Sequence, residues 1–358
     1  MKGNLILYTQ QDEQSYYFKH SDVLLQQFLC RSGIEINKTS IFKDFKVFSK
    51  NLINELEYCT IILMEMSTNN LDGLFSQLSS YYQEKPIKAS FGFIWNGVKK
   101  CVLIDINSLN ESLLQNNSLR RVLYVDSALT TIKLYGLDAF YVKDVLKSLS
   151  IPNNVSITTF SAFMDCEINL IAPISLLKTI EYKNFLRLVY ETFNDYIYTD
   201  TEDTLMDRLI ELLEIRKVKI SICDNLTSGK LVEQMLNNKH NYKDFLVNSY
   251  NIIEDNDYIE KLGIDASIIE KHNANSIEFA YETCAFMLEN EDSDVAISIT
   301  GTCNKPFIAV GDQTAIHVYK FSFNHNKEII EKIMINSAFF KLLKKINQND
   351  LYFFKNSV

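Results

Sequence analysis

Short apolar runs alternate with amphipathic segments over about the first hundred residues of the chain. Residues 5–8 and 59–64 are apolar runs of strand length, while residues 21–32 and 46–56 carry apolar side chains at helical spacing. Buried parallel strands are typically apolar throughout, and strands that alternate with helices build α/β sheets. The pattern therefore predicts an α/β domain with a mostly parallel sheet, to which residues 91–95 and 101–106 add a hairpin over Asn96-Gly97.

The pattern changes near Arg120, where shorter and more polar segments follow one another. We predict extended segments at residues 121–125, 127–134, 155–160 and 167–171, and helices at residues 138–149 and 182–193. These elements indicate a small α+β segment. Residues 194–201 are polar and predict a junction to the last part of the chain.

The last part of the chain opens with a helix over residues 204–214, which we expect Thr201 or Asp203 to cap. A strand over residues 218–223, a polar loop over 224–229 and a helix over 230–237 come next, an order that can bind anions at the helix start. Further elements are a helix that begins after Ser276, strands at 295–299 and 315–321, and a closing helix at 327–346.

Composition and charge restrict the class of protein. The 358 residues are 47% hydrophobic and carry a net charge of −9, which predicts a folded acidic chain of two or three domains and disfavours nucleic acid as a partner. No apolar stretch is long enough to span a membrane, and the first residues lack the long apolar region of a signal peptide, so we expect a cytoplasmic protein without a membrane partner.

The residues that usually hold metals and phosphates are sparse. Seven widely spaced cysteines and five histidines form none of the common ligand spacings, so we expect reduced thiols, no metal site and no cofactor. The chain has ten glycines and no glycine cluster, although phosphate-binding loops normally need clustered glycines.

Four landmarks in the last 140 residues carry a family resemblance. Residues 218–231, VKISICDNLTSGKL, resemble a strand, loop and helix written A-E-S-C-T-G-G-x-L in the CinA family. Leu262-Gly263-Ile264 with residues 272–276, residues 293–301 and residues 327–343 are similar to three later landmarks of that family in the same order. Weaker similarities at 31–34, 133–136 and 194–205 extend the resemblance over most of the chain.

The resemblance implies three domains. These are a molybdopterin-binding-like α/β domain at 1–118, a small α+β domain at 119–197 and a C-terminal amidase-like α/β domain at 198–358. It also implies a homodimer and, as partner, a pyridine nucleotide or a related small molecule, because the family's C-terminal domain hydrolyses nicotinamide mononucleotide.

Several positions depart from the family pattern. The family's serine nucleophile falls on Asn225, the preceding acid is Asp224, the threonine is Thr227, and the glycine pair has become Ser228-Gly229. Asparagine cannot attack an amide carbon as serine does. The remaining candidate positions for ligand binding are Tyr258, where the family has lysine, with Thr300, Gly301 and Lys327.

Other charged positions are altered as well. The second arginine of the family's closing helix falls on Glu331, whose charge would oppose a phosphate. The family also has a tyrosine five residues before the lysine position Tyr258, and Tyr250 could supply that tyrosine if the alignment contains a gap. In the N-terminal segment the three ligand loops have lost their glycines, and Asp72 is the one acid left of a metal-binding pair.

Three functions therefore stay open. The first is a CinA-like competence/damage-inducible family protein with eroded sites that is inactive or altered; the second is an active nicotinamide-nucleotide amidase of NAD salvage. In the second, a hydroxyl of Thr227, Ser228 or Thr300 would replace the serine, with Asp224 as base. The third is a non-catalytic partner-binding protein in competence or DNA-damage responses.

Overall fold

The structure is a computed structural model that describes residues 1–8, 21–56, 59–64, 68–108, 110, 118–124, 126–237, 242–252 and 261–355. The chain divides into two compact units, one of residues 1–132, 137–162 and 166–195 and one of residues 133–136, 163–165 and 196–358. Within the described residues there are three β-sheets, so the protein is an α/β protein as the pattern predicts.

The first sheet lies in the first unit and combines parallel and antiparallel strands. Its elements are β1 (Lys2–Tyr8), α1 (Ser21–Arg31), β2 (Glu35–Phe42), α2 (Phe45–Glu55), β3 (Cys59–Met64), α3 (Thr68–Tyr82), β4 (Ile87–Ala89), β5 (Gly92–Asn96) and β6 (Lys100–Asp105). The order is β2-β1-β3-β6-β5-β4, with the first four strands parallel and the last two antiparallel. The predicted hairpin is confirmed, because β5 pairs antiparallel with β6 across Asn96 and Lys100.

Helices cover both faces of this sheet. Leu5 and Leu7 face the side of α1, while Ile6 and Tyr8 face the side of α2 and α3, so β1 is buried from Gly3 onwards and β3 over its whole length. A helix α4 (Ser118–Leu123) joins the α1 side. The extended segment predicted at 121–125 is therefore wrong over its described residues, because Leu119 and Leu123, four positions apart, turn one helical face into the core.

The middle elements form a four-stranded sheet of order β10-β7-β9-β8. They are β7 (Ser127–Tyr135), α5 (Ala139–Ser148), β8 (Ser156–Ala162), β9 (Asp165–Pro173), α6 (Ile180–Phe193) and β10 (Ile197–Thr199). The first unit takes in β8, β9, α5 and α6 together with the first sheet. The division into three domains at residues 118 and 197 stays a prediction.

The last sheet lies in the second unit and mixes parallel with antiparallel strands. Its elements are α7 (Leu205–Arg216), β11 (Ile220–Asp224), α8 (Lys230–Leu236), β12 (Leu246–Tyr250), α9 (Ala266–His272), α10 (Ile277–Asn290), β13 (Val295–Thr302), β14 (Lys305–Asp312), β15 (Ile316–Lys320) and α11 (Lys327–Lys355). In the order β12-β11-β13-β14-β15 the first three strands are parallel and the last two antiparallel.

Capping side chains set the starts of two helices in this unit. Ser276 caps α10 and accepts from Phe279 N, as predicted. The cap of α7 is Thr204, not Thr201 or Asp203, because Thr204 forms a reciprocal capping box with Asp207 three residues later.

Candidate functional site

The candidate site is the carboxyl edge of the parallel strands β11 and β13. The two strands pair in parallel with Asp224 opposite Ile299, and Asn225 continues the ladder because its N–H donates to Ile299 O at 3.2 Å. Asn225 is therefore the first residue after β11, and Thr300 follows Ile299 within β13. In open α/β sheets ligands collect beyond this edge, at the start of the following helix or loop.

Asp224 is engaged by the loop that follows it. Its carboxylate accepts from Thr227 N at 2.9 Å, from the Thr227 hydroxyl, and from Leu231 N at 3.4 Å, while both acid and threonine are fully buried. Burial raises the pKa of Asp224, and the hydrogen bonds from Thr227 and the backbone offset only part of that effect. The Asp224 side chain thus closes the turn before α8.

Two neutral polar atoms at the edge, unlike the Asp224 carboxylate, are not hydrogen-bonded by the described residues. The Asn225 Oδ1 and the Thr300 Oγ1 are buried and find no hydrogen-bond partner among the residues that the structure describes. Ser221 Oγ, on β11, is in the same condition. An unsatisfied buried polar group costs about 1–3 kcal/mol, so a ligand that bonded to such atoms would recover that free energy.

Positive φ angles shape the loop after Asn225 and the turn after Thr300. Ser228 has φ 58° and is exposed, and Gly229 has φ 81° and precedes α8. Gly301 has φ 94°, and a Cβ at this position would lie 2.5 Å from Lys305 O. Gly301 is therefore required by the tight hairpin between β13 and β14, where Thr302 pairs with Lys305.

Charged side chains gather where α8 meets α11. The Glu331 carboxylate, 5% exposed, accepts from Lys230 Nζ at 2.6 Å and lies 3.6 Å from Lys327 Nζ. The hydrogen bond and charge of Glu331 raise the pKa of Lys230. Sequence reasoning treated Glu331 as an isolated repulsive charge and missed this ion pair, because its partners are 101 residues apart in sequence.

The predicted site residues thus fall into distinct groups. Asp224, Asn225, Thr227, Ser228 and Gly229 lie on one loop, next to Thr300 and Gly301. Lys327 belongs to the ion-pair group on α11, and Tyr258 lies outside the described residues.

The alternative tyrosine position is occupied by a hydrogen-bonded side chain. The Tyr250 hydroxyl bonds to Glu291 and receives a bond from Asn248 Nδ2 at 2.9 Å. Burial and the bond to Glu291 raise the pKa of Tyr250 to about 12. The hydroxyl therefore stays protonated at neutral pH.

The N-terminal candidates show no metal site within the described residues. Asp72 is exposed on α3, and residues 9–11 and 65–67 of the family's ligand loops lie outside the described part of the chain. No group of three or more His, Cys, Asp or Glu side chains is arranged to hold a metal ion within that part. All seven cysteines are described and free, and no described helix is long and apolar enough to cross a membrane.

Comparison with known proteins bears on the C-terminal half. The family model of the CinA C-terminal domain matches residues 202–346. A putative competence-damage inducible protein of Caldicellulosiruptor bescii is 25% identical over 183 residues, which is 48% of this chain and 43% of that protein. A CinA-like protein of Chloroherpeton thalassium is 31% identical over 106 residues, 30% of this chain and 25% of that protein. The matched part is thus less than half the length of either relative.

Solved structures align with part of this chain at low identity. A competence-damaged protein (CinA) superfamily protein from Klebsiella pneumoniae aligns with 40% of this chain and 96% of its own, at 18% identity and a TM-score of 0.38. The superfamily protein from Escherichia coli aligns with 40% of this chain and 89% of its own, at 19% identity and a TM-score of 0.37.

Proposed function

Because the chain belongs to the CinA family, we propose that it is a member without amidase turnover that binds a neutral or weakly charged small molecule at the Asn225–Thr300 edge. The observation that carries the proposal is which polar groups at this edge already have partners within the protein. Its charged groups are engaged within the protein, whereas two of its buried neutral polar atoms have no partner among the described residues.

Loss of turnover follows from the residues that amide hydrolysis would need. A hydroxyl nucleophile must be exposed to the amide carbon and must transfer its proton to a nearby base. Asn225 has no hydroxyl group, and the Thr227 hydroxyl is fully buried and bonded to Asp224. Ser228 is exposed, but none of the bonds at Asp224 comes from its hydroxyl. Asp224 is therefore a turn-closing residue in this proposal and not a base.

A neutral ligand fits the edge better than a phosphate. The lysines Lys230 and Lys327 face the carboxylate of Glu331, so a phosphate would have to compete with a buried acid for them. Asn225 Oδ1 is an acceptor, and the Thr300 hydroxyl can donate or accept. A carboxamide, which offers both N–H donors and a carbonyl acceptor, matches that pair; nicotinamide and related pyridine compounds belong to this class.

We also propose the three-part organisation at 1–118, 119–197 and 198–358, with a molybdopterin-binding-like first part. In its support, β1 to β6 lie within the first segment and β11 to β15 within the last. The middle sheet fits its segment except that β10 ends at Thr199, two residues past the boundary.

The test combines turnover with binding. We expect no ammonia from nicotinamide mononucleotide, and shift changes at Asn225 and Thr300 when nicotinamide is titrated against isotope-labelled protein. Thr300→Val should remove most of that response, while Thr302→Val, two residues along the same strand at an exposed position, should keep it. Turnover in the ordinary enzyme range of about 1–1000 per second would establish the active amidase instead. No response at the edge to nicotinamide, nicotinamide mononucleotide or ADP-ribose would refute the binding site.

A further inference from the structure

A cavity of about 770 Å³ lies inside the first unit, whereas the site described above belongs to the second unit. It opens between β1, β2, α1, α5 and β8, and small-molecule pockets commonly have volumes of about 300–1,000 Å³. Apolar side chains form most of its wall, among them Leu5, Leu7, Leu25, Leu29, Ile36 and Phe140. Phe140 is 80% exposed, an unusual position for a phenylalanine, and marks the mouth of the cavity.

Three hydroxyl groups of the wall are engaged within the protein. Thr158 Oγ1 donates to Cys30 O at 2.6 Å, and Thr159 Oγ1 donates to Ala139 O at 3.2 Å. Ser161 Oγ accepts from Ala139 N at 3.1 Å. Because these hydroxyls already have partners, the wall offers a ligand chiefly apolar contact.

Charge is confined to the rim. Lys143 Nζ pairs with Glu35 Oε1, and both side chains are partly exposed, at 36% and 42%. Lys2 is the register partner of Glu35 on β1, so two lysines flank one carboxylate. The hydrogen bond from Lys143, with the charges of Lys143 and Lys2, lowers the pKa of Glu35. Glu35 therefore has a second cation beside it, Lys2, outside the cavity lining, and partly exposed ion pairs such as Lys143–Glu35 exchange partners at little cost.

We propose that this cavity binds a single amphipathic carboxylate, whose apolar body lies against the leucines and whose head group pairs with Lys143 in place of Glu35. The wall disfavours nucleotides and sugars, because their polar groups would lose water without gaining partners there. A cationic amphiphile would leave Lys143 unpaired beside it. An uncharged one would gain only the apolar contact.

Decanoate is a suitable probe, titrated below its micelle concentration by calorimetry against the full chain, with decan-1-ol and decyltrimethylammonium as matched probes. We expect saturable one-site binding in which decanoate is preferred over both. Lys143→Gln should weaken decanoate about 5-fold, whereas Lys147→Gln, on the same helix but paired with Asp144, should leave it unchanged. Glu35→Gln should strengthen decanoate binding, since it removes the competing carboxylate.

Filling the cavity supplies a second, independent test. Thr39→Trp places a large side chain at a wall position, and Asn37→Trp places it on the same strand outside the wall. We expect only the first to abolish binding, with unchanged circular dichroism. If Thr39→Trp does not fold, methyl shifts of Leu5 and Leu7 in the unaltered protein serve in its place. Three results would overturn the proposal. Decanol or the cation could bind as tightly as decanoate, the methyl chemical shifts of these leucines could stay unchanged on addition of decanoate, or the protein could associate only with phosphatidylcholine–phosphatidylglycerol vesicles.

Discussion

A buried ion pair fastens the closing helix to the sheet of the second unit. Lys345 Nζ on α11 lies 2.9 Å from Asp312 Oδ1 at the end of β14, and the two side chains are 8% and 7% exposed. The same oxygen accepts from Thr314 N at 2.9 Å, Thr314 Oγ1 at 2.6 Å and Ala315 N at 3.0 Å. Asp312 therefore organises the turn into β15 as well as the contact with α11.

Asp312→Asn is the informative perturbation, because it keeps the shape of the side chain and removes its charge. Lys345 is then a buried cation without its counter-ion, and breaking such a pair typically costs about 3–5 kcal/mol of unfolding free energy. Lys345→Met should cost less, since Asp312 keeps its three other donors. The double variant should be more stable than the sum of the two single losses, because neither partner is left alone.

The effect also depends on pH with a definite sign. Burial would raise the pKa of Asp312, but hydrogen bonds from Thr314 and Lys345 outweigh it and hold the pKa below its ordinary value. An acid with a depressed folded-state pKa stabilises the protein above its unfolded-state pKa of about 3.9, and this stabilisation is lost as the pH falls through the folded-state pKa. The gap between wild type and Asp312→Asn should therefore be full at pH 7 and should narrow below about pH 4.

Amide hydrogen exchange of β14 and β15 is the assay that reports on this part of the chain. A loss of about 3 kcal/mol corresponds to roughly a hundredfold faster exchange where exchange proceeds through unfolding of the unit. Exchange in Asp312→Asn within about threefold of wild type, or a double variant that equals the sum of the single ones, would show that the pair contributes little and that our reasoning is wrong.

Two further predictions concern the first unit and a pair of glycines. Glu167→Gln should lower the free energy of unfolding by about 3 kcal/mol, because the buried Arg31 loses its counter-charge and one of the two acceptors that it contacts at 2.8 Å. Fluorescence of the buried Trp95 follows the unfolding, and a loss below about 1 kcal/mol would contradict this prediction. Gly301→Ala should destabilise the hairpin by more than about 1 kcal/mol, since the φ of 94° at Gly301 and the 2.5 Å approach to Lys305 O exclude a Cβ. Gly73→Ala on α3, where a Cβ would meet nothing within 4 Å, should instead stabilise the protein by about 0.5–1 kcal/mol. Thermal melts of both variants test whether one lowers and the other raises the melting temperature.

Strands with a uniform apolar pattern could be predicted from the sequence, and segments whose side chains satisfy two patterns could not. Residues 59–64 have a single interpretation, and the structure has a strand there. Residues 122–125 form a short apolar run that resembles a strand, but the apolar spacing from Leu119 to Leu123 is helical, and core packing favours the helix. The strand β14 was missed, although residues 306–311 are apolar, because its identity depends on antiparallel pairing with β13.

The candidate site was predictable where its contacts are local in sequence. Asp224 and Thr227 are three residues apart, a spacing at which an aspartate commonly accepts from the backbone and side chain of a turn, and the structure has that bond. The contact between Lys230 and Glu331 joins two helices that are far apart in sequence, so no local sequence pattern predicts it. The resemblance located Glu331, but the sign of its effect depends on what surrounds it.

In the proposed function, this difference between local and long-range contacts decides which ligand the carboxyl edge favours. A charged ligand gains free energy there only if it displaces a partner that the protein already supplies, Glu331 in the case of the lysines. A neutral ligand that bonds to Asn225 Oδ1 or Thr300 Oγ1 replaces no hydrogen-bond partner among the described residues, and each bond relieves a cost of about 1–3 kcal/mol. Two such bonds equal roughly a thirtyfold to twenty-thousandfold gain in affinity, which is larger than the net gain from exchanging one ion-pair partner for another. The edge should therefore discriminate by hydrogen-bond geometry more than by charge.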